Sequence, residues 1–123
     1  MTDDLLRTFD DDLVELVAAR HEPSADRLWD LLSTHQEQVR SNPGVEDIVY
    51  EWRSQFHEAP VLHQTADAYF LRLRTHVWDE FADALDISEV ELAAVLDAHE
   101  EQVRRETGAE RGDNERFMVL TRK

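Results

Sequence analysis

Apolar residues recur every three to four positions along almost the whole chain, a period that fits helices and leaves little room for alternating strands. Leu6, Phe9, Leu13, Leu16 and Val17 open the pattern, and His21-Glu22-Pro23 break it. Ser24 is a good N-cap for a second stripe of Leu28, Leu31, Leu32, His35 and Val39, which Asn42-Pro43-Gly44 ends. Val45, Ile48, Val49, Trp52 and Phe56 form a third stripe, closed by Pro60. The longest runs from about 65 to 85, with Phe70, Leu73, Val77 and Phe81 facing in and Leu71 and Trp78 widening its surface. The fifth opens on a capping box, Ser88 with Glu91, continues through Leu92, Val95, Leu96, His99 and Val103, and meets a natural C-cap in Gly108. The expectation is an all-α fold, a compact bundle of about five helices in one domain over residues 1–107. Residues 108–123 read as a C-terminal tail, mostly polar. Its apolar run Phe117-Met118-Val119-Leu120 is either strand-like or an anchor that docks on a groove.

One phrase occurs twice. HQEQVR at 35–40 returns as HEEQVR at 99–104, and the surrounding fourteen-residue stretches match at seven positions with an offset of 64. The same offset lays Ser24 on Ser88, Leu28 on Leu92, Leu13 on Val77 and Val17 on Phe81. Helices one and two therefore correspond to helices four and five, as in a duplicated antiparallel helix pair. Within the phrase both histidines fall on the inner stripe, whereas Glu37 and Glu101 fall on the opposite side.

Composition narrows the functional classes. At 123 residues the chain is long enough for a hydrophobic core, and it has no cysteine for disulfides, thiolate metal sites or thiol catalysis. The N-terminal stretch is acidic and has no apolar run of the signal-peptide kind, and no segment approaches the roughly 20 apolar residues of a membrane helix. A cytoplasmic location with no membrane partner is expected. Asp and Glu number 28 against 13 Lys and Arg, a formal net charge of −15, and of the cations only Lys123 is lysine. This composition resembles that of proteins from extreme halophiles. Such a surface repels itself in dilute buffer and is screened in molar salt, where the Debye length is about 3 Å. A melting temperature no higher in molar KCl than in dilute buffer would contradict that reading. The same charge makes nucleic acid an unlikely partner: the exposed positions of helix five are Glu89, Glu91, Asp97, Glu100 and Glu101, where a DNA reader needs basic and amide side chains.

Two functional classes remain. In the first, the chain is a non-catalytic interaction or regulatory module, a homodimer or an adaptor for a protein partner. Its wide apolar faces motivate this, and Trp52, Phe56, Tyr69, Trp78, Phe117, Met118 and Leu120 are the candidate interface. In the second, inward histidines bind a divalent metal ion. His35 and His99 meet if the repeats pack about a twofold, and His76 is a third candidate ligand. No Glu-x-x-His or His-x-x-x-His pair supports it, and an inward helical histidine is more often a hydrogen-bonded core residue. Catalysis has little support, since no serine lies in a nucleophile elbow and no glycine-rich phosphate loop is present.

Overall fold

The computed structural model describes residues 9–41, 44–55 and 59–122. Five helices and a three-stranded sheet alternate in the order α1 (Asp11–Arg20), α2 (Ala25–Ser41), α3 (Val45–Gln55), β1 (Val61–Gln64), β2 (Ala68–Arg74), α4 (Thr75–Leu85), α5 (Glu89–Thr107) and β3 (Glu115–Thr121). The fold is mixed α/β, which corrects the all-α expectation. The sheet is antiparallel with strand order β1-β2-β3.

The error has a local cause. Phe70 and Leu73 are three apart, which suits a helix, but Ala68, Tyr69, Phe70 and Leu71 form a continuous buried run. A short apolar run of this kind does not distinguish strand from helix, and partners decide. Here the partner is β3, paired with β2 in unbroken register from Ala68↔Thr121 to Arg74↔Glu115. Neither Gly nor Pro marks the point where β2 becomes α4. Arg74 is the helix N-cap in extended conformation, with no side-chain cap bond. The Thr75 amide donates instead to the Asn114 carbonyl at 3.0 Å, which satisfies one of the open donors of the first turn.

β1 is short and bulged between Val61 and His63. Its hairpin turns on Thr65, whose Oγ1 accepts from the Asp67 and Ala68 amides at 3.1 and 3.0 Å. The C-terminal run 117–120 is no appendage. Phe117 through Thr121 are all buried, on both faces of the strand, as in a strand covered on each side.

The helices obey the repeat. α1 and α4 begin at Asp11 and Thr75, and α2 and α5 at Ala25 and Glu89, each pair separated by the offset of 64. Ser24 Oγ accepts from the Arg27 amide at 3.1 Å and Ser88 Oγ from the Glu91 amide at 3.2 Å. Gly108 closes α5 with φ of 68°, a left-handed conformation that costs glycine little. Equivalent positions also touch: Arg27 Nε donates to Glu91 at 2.8 Å, and the rings of His35 and His99 lie 5.1 Å apart. The two meetings are about two helical turns apart on the same pair of helices. α2 and α5 therefore run side by side in one direction, with the axis relating the halves between them.

Candidate functional site

The structure brings His35 and His99 together and leaves His76 elsewhere. Both inner histidines are fully buried in a box of rings. His35 stacks on Trp78 at 4.7 Å between ring centroids and meets Phe81 edge-on at 4.9 Å. His99 meets Trp78 at 4.8 Å and Phe9 at 5.1 Å, both edge-on. His76 is exposed on α4. Among the described residues no group of three or more His, Asp or Glu side chains could hold a metal ion, so the expected His35–His76–His99 set is not assembled.

The hydrogen bonds also speak against a two-histidine site. The Val119 amide donates to His99 Nδ1 at 2.9 Å. An amide is only a donor, so Nδ1 is unprotonated and the neutral ring carries its proton on Nε2. A histidine that ligates through Nε2 needs the opposite tautomer, with the other nitrogen protonated. His35 Nδ1 likewise faces the Gln36 amide nitrogen, at 3.4 Å. The two Nε2 atoms have no hydrogen-bond partner. Burial in this apolar box pushes the His35 pKa down to about 3. It also holds His99 well below its ordinary value, with the neighbouring His35 adding to the effect. Both rings are neutral at physiological pH.

What these residues do is finish the sheet. β3 is an edge strand, and an open edge is a hazard in a folded protein. Three helices close it. Trp78 on α4 donates from Nε1 to the Phe117 carbonyl at 3.0 Å. His99 on α5 accepts from the Val119 amide. Gln36 on α2 donates to the Val119 carbonyl and accepts from the Thr121 amide, each at 2.8 Å, so its carboxamide pairs with the strand as a peptide group would. Gln36 was not legible as a site residue; the one signal was an amide beside an inward histidine.

The same packing occupies most of the expected interface. Tyr69, Trp78, Phe117, Met118 and Leu120 are buried in the chain's own core, at most 3% exposed. Tyr69 OH also donates to Glu46, and the Arg122 guanidinium lies over the Tyr69 ring at 4.8 Å. None of these presents a surface to a partner. Phe56 lies outside the described residues.

Trp52 stands apart, because it lines a groove. α3 and α4 both lean on α2 and leave between them a cleft of about 650 Å³. From α3 come Ile48, Glu51, Trp52 and Gln55. From α4 come His76, Val77, Glu80, Phe81 and Ala84. Each set is one helical stripe, since positions i, i+4 and i+7 share a face. Ile48 and Phe81, half-buried, and Trp52, buried with 7% of its surface exposed, give an apolar floor, and Glu51, Glu80 and His76 stand exposed at its margins. Gln38 of α2 closes one side. Its amide donates to the Ala84 carbonyl at 3.3 Å, and its oxygen is buried with no partner.

A three-stranded sheet whose far edge is sealed by helical side chains, beside an open interhelical groove, defines a small mixed α/β domain with a preformed cleft. Residues 7–122 match the family model described as Domain of unknown function (DUF8048), and the chain belongs to that family. No curated protein and no solved structure matches it. Among the described residues no helix is long and apolar enough to cross a membrane.

Proposed function

We propose that the chain is a non-catalytic interaction module that receives a helical segment of a partner protein in the groove between α3 and α4. The observation that carries this reading is the pair of facing helical stripes whose apolar members, Ile48, Trp52 and Phe81, stay partly uncovered or at the cleft floor. The remaining large apolar side chains exposed among the described residues, Leu16, Tyr50 and Val90, lie on three different helices. Scattered apolar residues of that kind are ordinary, whereas a lined cleft of this size is what binding sites use. Each groove helix has eleven residues, about 16 Å of length, which suits two to three turns of an incoming helix.

Two arrangements of this buried chemistry speak for binding rather than catalysis. The histidines best placed for acid–base work are His35 and His99, and both are enclosed and held neutral. The groove itself pairs carboxylates with an aromatic floor, which recognises more readily than it reacts. The test is a photo-crosslinking side chain placed at Glu80, in the groove, or at Glu37, on the far side of α2, in the cells that make the protein. A partner captured from position 80, missed from position 37, and lost when Ala84→Trp fills the groove is the expected result. Equal capture from both positions, or capture from 80 that survives Ala84→Trp, would remove the reading. Crosslinks to a second copy of the chain would make the groove a homodimer surface instead.

A further inference from the structure

Resting on that reading, we infer that the groove's partner presents an arginine side chain, stacked on the aromatic floor and paired with Glu51 and Glu80. The groove's lining includes two carboxylates and no Arg or Lys. Some of the chain's acids elsewhere meet its own arginines, as Glu91 meets Arg27, Glu100 meets Arg104 and Arg111, Glu46 meets Arg122, and Asp10 and Asp12 share Arg105, while many others face solvent. Glu51 and Glu80 have no such pair or side-chain hydrogen bond among the described residues.

Their position makes this consequential. Glu51 adjoins Trp52 on α3, and Glu80 adjoins Phe81 on α4. A helix that covers the apolar floor brings its flanks against both marginal carboxylates and takes part of their water. An ionised carboxylate buried without a counter-charge is costly, so an uncharged apolar occupant is penalised at the step where it gains its contacts. A cation removes the penalty. Arginine fits better than lysine. Its guanidinium is planar and weakly hydrated, it stacks on indole and phenyl faces, and its fork bonds a carboxylate through two N–H groups. Stacking also persists where salt screens simple charge attraction, the condition that the chain's own acidity points to.

The experiment uses a fluorescein-labelled amphipathic peptide with four leucines on one helical face and arginines on both flanks. Two matched peptides carry lysine or glutamine in place of the arginines. Each is titrated by anisotropy against the full chain, the Glu51→Gln/Glu80→Gln variant and the Ala84→Trp variant, in dilute buffer and in molar KCl, with thermal melts to confirm folding. The expected result is arginine-peptide binding that Ala84→Trp abolishes. It should weaken at least tenfold in the double variant and at least tenfold for the glutamine peptide. In molar KCl the lysine peptide should weaken more than the arginine peptide. A glutamine peptide that binds as well as the arginine peptide, and still depends on Ala84, overturns the arginine inference and leaves the groove standing. Arginine-peptide binding indifferent to Ala84→Trp is diffuse attraction to an acidic chain and overturns it as well. No binding by any peptide overturns both the inference and the groove reading.

Discussion

Two glutamines at equivalent positions behave differently. Gln102, on α5, reaches across the axis between the halves to Asp10, the N-cap of α1, and accepts from its amide at 3.0 Å. Gln38, on α2, should by the same offset reach Arg74, the N-cap of α4. That contact is not made: Arg74 is also the last residue of β2, in register with Glu115. Gln38 turns to the other end of α4 and leaves its oxygen without a partner beside the groove. The histidines diverge in the same way. His99 holds the Val119 amide, whereas His35 has one long contact to Gln36 and otherwise touches rings. A repeated sequence thus sits in two settings: each copy sends one residue to β3, Gln36 from the first and His99 from the second, while His35 and Gln38 make no bond to the sheet.

Acid tests what the two histidines share. Each is neutral in the folded chain and protonates near its ordinary pKa of about 6.5 once unfolded. Below that value the unfolded state takes up protons that the native state refuses, so stability falls as pH falls, by about 1.4 kcal/mol per unit for each ring. For His35 the loss continues down to pH about 3. Between pH 7 and 5 His35 should account for a loss of about 2 kcal/mol, measured by urea unfolding in molar KCl, and His35→Phe should remove that share. A loss unchanged by His35→Phe would mean that this ring is not held neutral.

Substitutions then separate the copies. Gln36→Leu removes the two bonds that its carboxamide makes to β3 and should cost about 3 kcal/mol in thermal or urea unfolding. His99→Phe orphans the Val119 amide alone and should cost about 2 kcal/mol. His35→Phe removes an unpartnered nitrogen and should change stability at pH 7 by less than about 1 kcal/mol. Equal costs for His35→Phe and His99→Phe would erase the distinction. Gln38→Met gives the smallest effect, within about 0.5 kcal/mol, because it exchanges one weak amide bond for the removal of an unmet acceptor.

Local chemistry was legible in the sequence. Ser24, Ser88 and Gly108 declare helix ends because their side chains or backbone conformations act within a few residues. The repeat implies that His35 and His99 meet if its two copies pack about a twofold, and the rings do meet. The sheet was not legible, since β1 has four residues and β2 carries spacing that suits a helix as well as a strand. With 68–74 read as helix, Phe117–Leu120 has no strand to pair with, and Tyr69 and Trp78 remain as interface candidates. The groove was half legible. Trp52 stands out in the sequence, but Phe81 reads as core, and the facing of α3 and α4 across a cleft is a tertiary arrangement that no local spacing states.

The sealed strand edge has a kinetic meaning. β2 must wait for a partner whose closest paired residue lies about forty positions further along the chain, and β3 can dock only where α2, α4 and α5 already present Gln36, Trp78 and His99. Non-local pairing of this kind slows folding. A collapsed intermediate made of helices alone would bury the His99 imidazole, the Gln36 carboxamide and the Trp78 indole N–H without the β3 groups they bond, which raises its free energy relative to both ends of the reaction. The polar residues that complete the native core therefore discourage stopping short of it, and the chain should fold late and all at once, when its last strand arrives.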